Sequence, residues 1–130
     1  MTSAEFDTRR RLLGLSIQEA ADYLGVQRRT VERWISGYSE VNPDAVERLL
    51  ALDGRMSSAV EQAVAAILSV AGGAPKTLLR YRSQAAVDAS PHAAGMPLGA
   101  HAILIGWIAD ELNFKGADVE IAWGDTQVSD

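Results

Sequence analysis

The chain has 130 residues and a mass of 13.9 kDa, the size of one ordinary domain or two very small ones. Apolar residues make up 48% and charged residues 22%, which excludes a disordered or fibrous chain. A formal charge of −5 excludes a protein that coats nucleic acid by charge alone, and the lack of cysteine removes disulfides, thiolate metal sites and a cysteine nucleophile.

Residues 4–37 read as three short helices. Ala4 to Leu13 carries Phe6, Leu12 and Leu13 as apolar anchors, with Gly14 to end it. Ser16 stands three residues before Glu19, the spacing of a capping box. Ile17, Ala20, Ala21 and Leu24 then recur at i, i+3, i+4, i+7, an amphipathic helical stripe, and Gly25 permits a tight turn at positive φ. Residues 27–36 form the third helix, with Val31, Trp34 and Ile35 as its buried stripe and Gly37 as its end.

Asn42-Pro43-Asp44 starts the next helix with a cap, a first-turn proline and an acid at the positive helix end. Ala45, Leu49, Leu52, Met56, Ala59, Ala63, Ala66 and Val70 then repeat at alternating steps of four and three. One long helix over residues 43–71 is the preferred reading, and a break at Asp53-Gly54 the alternative. Gly72-Gly73-Ala74-Pro75 terminates it.

The remainder is mixed. Residues 77–82 alternate as a strand, with Leu79 and Tyr81 on one face and Arg80 and Arg82 on the other. Residues 83–89 form a short helix and 90–97 a loop. Residues 98–112 are apolar almost all round, the mark of a buried helix. Residues 118–123 form a second strand and 124–130 a loose tail. The expected architecture is mainly α with a small β component: a helical bundle over 1–55 and an α+β module over 56–130, sharing the long helix.

The negative total hides a partition. Residues 1–40 hold six arginines and six acids, while residues 41–130 hold six basic and eleven acidic residues and account for the whole −5. Between Thr8 and Ser39, six arginines face only Glu19, Asp22 and Glu32, a local +3. Arginine presents a rigid fork of donors, so this pattern suggests a directed binding face, against the plainer reading of arginines solvating helix surfaces.

The segment LSIQEAADYLGVQRRTVERWISG, residues 15–37, combines a capping box, a small Ala21 four residues before Gly25, the turn glycine, the apolar lock of Val31 and Trp34, and an arginine-rich outer side. That is the helix-turn-helix arrangement, which holds its second helix clear of the body for a major groove about 12 Å wide. Gln27, Arg28, Arg29, Glu32 and Arg33 are the expected base readers. Arginine pairs with guanine O6 and N7, glutamine with adenine N6 and N7, and a glutamate accepts from a cytosine amine or orients a neighbouring arginine. Arg10, Ser16, Gln18, Thr30, Ser36, Tyr38 and Ser39 sit where hydrogen bonds to phosphate are easy.

With flanking helices at 4–13 and from Pro43 onward, this segment resembles the lambda-repressor-like (Xre/Cro) regulators over roughly the first 55 residues. Arg33-Trp34-Ile35-Ser36-Gly37 is similar to their frequent Arg-Trp-x-x-Gly close. Two positions depart: Ile17 stands where many members place a phosphate-touching Gln, and Gln27 replaces the usual Ser or Thr cap. The long helix followed by strand, helix, helix, strand resembles the subgroup typified by anti-CRISPR-associated autorepressors and YdiL-like proteins. That resemblance implies a C-terminal module that dimerises.

A homodimer is expected on physical grounds as well. One recognition helix reads few base pairs, and two held about 34 Å apart read a near-palindrome. Leu79, Tyr81, Ile103, Trp107, Val119, Ile121 and Trp123 are the expected interface, against the alternative that they fill a monomer core. The other candidates are weaker. His92, His101, Asp110 and Glu111 show no metal-ligand spacing, His101 reads as a core or interface residue, and no second catalytic group accompanies His92. Neither cofactor nor metal nor enzymatic activity is expected.

The sequence therefore points to a dimeric, sequence-specific DNA-binding transcriptional regulator that reads an inverted-repeat operator in double-stranded DNA. An autorepressor is preferred because nothing resembles an activation surface. The alternative is an antitoxin or interaction module whose C-terminal half binds a protein partner. Absent cysteines, no apolar run near the roughly 20 residues of a membrane span, and an N-terminus without a signal-peptide core suit a cytoplasmic protein with no membrane partner.

Overall fold

In the computed structural model, which describes residues 1–70 and 76–125, four helices are followed by a strand, two helices and a second strand. The chain divides into two units, Met1–Met56 and Ser57–Asp130. The architecture is mainly helical with one small parallel sheet.

In the first unit, α1 (Ser3–Leu12) begins at Thr2, whose Oγ1 accepts from the Glu5 amide at 3.0 Å. The capping box of α2 (Ile17–Leu24) is complete: Ser16 Oγ accepts from the Glu19 amide at 3.0 Å, and Glu19 Oε1 accepts from the Ser16 amide at 3.1 Å. Gly25 takes φ +71°, a left-handed conformation that glycine adopts without steric cost, and turns the chain into α3 (Arg28–Ser36). The helix α4 (Pro43–Leu68) starts behind Asn42, whose Oδ1 accepts from the Asp44 amide at 2.8 Å.

The core of this unit is Phe6, Leu13, Leu15, Ala20, Ala21, Val31, Trp34, Ala45, Leu49, Leu52 and Met56. Phe6 meets Trp34 edge to face at 5.5 Å, which fixes α1 against α3. Arg48 on α4 donates to the Tyr23 carbonyl at 2.6 Å and stacks on the Tyr23 ring at 4.8 Å, tying α4 to the end of α2. Ile35, expected in the buried stripe, is only half-buried.

The long helix runs through Gly54 without the alternative break and ends at Leu68 rather than near residue 71. Its expected terminator, residues 72–75, lies outside the described residues. The apolar seam is buried at Ala45, Leu49, Leu52 and Met56, then fades: Ala66 and Val70 are exposed, and Val64 is the buried residue instead. A straight helix drifts about 20° per heptad from a strict seven-residue repeat. Moreover, α4 contributes to one unit up to Met56 and to the other beyond it.

In the second unit, β1 (Lys76–Arg80) pairs in parallel with β2 (Val119–Trp123), the register joining Leu78 to Ile121 and Arg80 to Trp123. Parallel strands need a long crossover, supplied here by α5 (Gln84–Ala89) and α6 (Leu98–Phe114). Leu78, Val87, Ala93, Met96, Leu104, Ile105, Ile108 and Leu112 form the core. Gln84 holds the 90–97 loop, its Nε2 donating to the Met96 carbonyl at 2.8 Å and its Oε1 accepting from the Leu98 amide at 2.8 Å.

Two expectations change here. The first strand stops at Arg80, and the Tyr81 ring beyond it lies 5.4 Å from His101. The start of the expected loose tail is bonded: the Gly124 amide donates to the Arg80 carbonyl at 2.7 Å, and the Asp125 carboxylate accepts from the Arg82 amide at 2.9 Å. Residues 126–130 lie outside the described residues.

Candidate nucleic-acid interface

The third helix is locked from below and open above. Val31 and Trp34 are buried, while Arg28, Arg29, Glu32, Arg33 and Ser36 are exposed. At roughly 100° per residue these five fall within one face about 140° wide. Gln27 precedes them, also exposed. The structure thus brings four of the five expected base readers onto one face, with Gln27 exposed at the cap position just before it.

The start of α3 lacks the devices that stabilise a helix N-terminus. Gln27 occupies the cap position without a side-chain hydrogen bond, and no acid lies in the first turn. Arg28 and Arg29 stand there instead, cations at the positive end of the helix. The neighbouring α2 carries a full capping box, and such a cap contributes about 1 kcal/mol. The start of α3 thus carries two exposed arginines and no side-chain cap, an arrangement suited to anionic oxygens and base edges.

Individual side chains are held differently. Arg28 Nε donates to Glu32 Oε1 at 3.0 Å, an i,i+4 pair with both side chains more than half exposed. Arg29 is exposed and has no side-chain partner among the described residues. The Arg33 guanidinium sits 5.3 Å from the centre of the Tyr38 ring, itself 78% exposed.

Of the residues expected at phosphate, Gln18, Ser36, Tyr38 and Ser39 are exposed at the surface and Thr30 is half-buried. Gln18 donates to Asp22 at 2.9 Å and the Ser36 hydroxyl to the Arg33 carbonyl at 3.1 Å. Ser16 is exposed but committed as a cap. Arg10 is placed otherwise than expected. It is buried, donating from Nη2 to Asp7 at 2.7 Å and from Nη1 to the Leu15 carbonyl at 2.7 Å. The hydrogen bonds from Arg10, then Arg11, hold the Asp7 carboxyl below its ordinary range against the opposing effect of burial. Arg9 pairs with Asp53 at 2.8 Å and Arg11 with Asp7 at 3.0 Å. Arg9 and Arg10 of α1 thus tie the fold together, Arg11 makes a surface pair, and three exposed arginines stand close together on α3. Sequence reasoning missed Arg48, whose partner lies 25 residues away.

Residues 8–55 match the helix-turn-helix family HTH_3. They form a lambda-repressor-like helix-turn-helix domain. Such a domain implies a DNA-binding transcriptional regulator, and its family is typical of non-enzymatic regulators. No curated protein matches the chain.

Outside the helix-turn-helix domain, His101 is buried, with its pKa lowered by burial and then by the nearby Arg80 charge, while His92 is exposed. Asp110 and Glu111 line an open hollow with Ser57, Val60, Trp107 and Phe114, and Glu111 pairs with Lys115 at 3.7 Å. Among the described residues no group of three or more potential ligands is placed to hold a metal ion, and no helix is long and apolar enough to cross a membrane.

The residues expected at a dimer interface do not share one surface. By register Val119, Ile121 and Trp123 lie on the sheet face of Leu78 and Arg80, and Leu79 lies on the opposite face with Ala122. Leu79, Ile121 and Trp123 are exposed by 43%, 45% and 48%; Tyr81, Ile103, Trp107 and Val119 are half-buried.

Proposed function

We propose that the protein is a homodimeric autorepressor that reads an inverted-repeat operator in double-stranded DNA through α3. One observation carries this reading: a helix fixed by Val31 and Trp34 presents Gln27, Arg28, Arg29, Glu32 and Arg33 outward while its own N-terminus is left uncapped. Local stability is given up where a surface is kept for another molecule. Gln18, Thr30, Ser36, Tyr38 and Ser39 supply phosphate contacts around it. Support for the dimer comes from the second unit, where a sheet of only two strands carries exposed Leu79, Ile121 and Trp123. So small a sheet, open at both edges among the described residues, is a ready surface for a second copy.

A mobility-shift titration of the upstream DNA of its own gene tests the function. Wild-type protein is expected to prefer that DNA over a scrambled duplex, and Arg29→Ala to lose the preference. Binding should weaken linearly in log–log form with salt, by about 0.9 per phosphate contact. Equal binding of both duplexes by both proteins would refute the proposal. A second reading, a protein partner masked as by an antitoxin, draws on Phe114, 88% exposed at the rim of the hollow around Trp107. Co-purification of a neighbouring gene product, lost in Phe114→Asp, would favour it.

A further inference from the structure

We infer that Glu32 does not read a base but positions Arg28, so that the Arg28–Glu32 pair acts as one braced guanine reader; the inference rests on the DNA-reading function proposed above. Arg28 is the first residue of α3, and Glu32 lies one turn on, its Oε1 accepting from Arg28 Nε at 3.0 Å. Binding at Nε fixes the plane of the guanidinium. It leaves the two terminal nitrogens as a fork, the spacing that matches guanine O6 and N7.

The pair is poorly suited to a purely stabilising role. An i,i+4 ion pair supports a helix best with the acid toward the N-terminus, and this one runs the opposite way. Both side chains are more than half exposed, a setting in which an ion pair contributes little to the fold. Glu32 also brings a negative charge onto a face meant for an anionic partner, which lowers affinity for any DNA indiscriminately. A carboxylate held in that place is explained if it converts a flexible arginine into a directed one. Arg29, next in sequence and without a carboxylate partner among the described residues, remains the adaptable neighbour.

The test uses the full-length chain. Wild-type protein first selects a duplex from a randomised pool. Its affinity is then measured for that duplex and for every single base-pair substitution in one half-site. The same set is measured for Glu32→Gln, Glu32→Asp, Arg28→Lys and the double variant Arg28→Lys/Glu32→Gln. Glu32→Gln and Glu32→Asp are expected to lose about tenfold discrimination at one guanine, the low end of what a bidentate arginine contributes. Arg28→Lys is expected to lose it at the same base pair, and the double variant to lose no more than either alone. Loss at a different base pair would assign Glu32 a contact of its own and overturn the inference. Unchanged discrimination in Glu32→Gln would reduce the pair to solvated surface and overturn it too. If the wild-type chain enriches no sequence, the proposed function fails and the inference with it. The substituted residues are exposed, and a circular dichroism spectrum shows whether each variant keeps its helices.

Discussion

Six arginines between Thr8 and Ser39 divide by what their guanidinium groups touch. Arg9, Arg10 and Arg11 meet Asp53 and Asp7 within the first unit, whereas Arg28, Arg29 and Arg33 stand on the outer face of α3. Removing one of each kind should separate folding from binding. Arg10→Ala leaves the buried Leu15 carbonyl without its guanidinium partner and the Asp7 carboxylate with Arg11 alone. It is expected to lower stability by about 2–3 kcal/mol in urea denaturation, in line with losing a buried charged hydrogen-bond partner. Arg29→Ala is expected to stay within about 0.5 kcal/mol of wild type, as surface substitutions do, and to lose operator preference. His101 gives a residue-scale prediction of another kind. Burial, then Arg80, lowers its pKa below the ordinary 6.5, and the Tyr81 ring packs beside it. The unfolded chain therefore binds the proton more readily than the folded one. Stability is full above about pH 6.5 and declines as the pH falls below it. Thermal melting between pH 7.5 and 5.5 should show this slope, and His101→Gln should flatten it even where that variant is less stable overall.

At the scale of elements, α2 and α3 are neighbours built to different standards. The first is closed by Ser16 and Glu19, and the second begins at Gln27 without a cap bond. Gln27→Ser should supply the missing cap. It is expected to raise stability by up to about 1 kcal/mol, read in urea denaturation, and to weaken operator binding in a mobility shift, because a proposed base-reading side chain is lost. Most of this layer was legible in the sequence because caps, left-handed glycines and amphipathic stripes are local: Ser16, Gly25, Gly37 and Asn42 each act within a few residues. What was not legible depends on distant or degenerate information. The neighbouring Leu78 and Leu79 offer the strand either face, and only packing in the folded unit decides that Leu78 goes inward. The Arg48–Tyr23 tie spans 25 residues. A triplet of arginines at 9–11 covers three helix faces, so sequence alone could not tell which one would be buried. An exposed face is the complement of a buried stripe, so the candidate base readers could be gathered from the helical period, whereas the residues expected at an interface were gathered by apolarity alone, and those on the strands fall on both faces of the sheet.

At the scale of the whole molecule, the proposed operator reading demands two copies, and the chain's composition bears on how they would meet. Residues 57–130 hold eight acids against four basic residues, a charge better suited to the proposed association than to contact with DNA. The two strands leave exposed apolar residues on both faces: Leu79 on one, Ile121 and Trp123 on the other. Trp123, beside Ile121, is covered in part by the Arg80 and Arg82 guanidinium groups at 4.9 and 4.3 Å from its ring centre. Leu78 on that face is buried, so Ile121 and Trp123 mark its uncovered part, where a stacked aromatic brings less conformational freedom to be lost on association. Sedimentation of the wild-type chain is accordingly expected at twice 13.9 kDa. Ile121→Lys is expected to shift it to the monomer with an unchanged circular dichroism spectrum, and Leu79→Lys to leave the dimer in place. Monomerisation should cost the protein its preference for a full inverted repeat over an isolated half-site, because the two recognition helices then bind independently. Retention of that preference by a monomeric Ile121→Lys variant would mean that the helix-turn-helix domains find each other on DNA, and the sheet would have no part in the assembly.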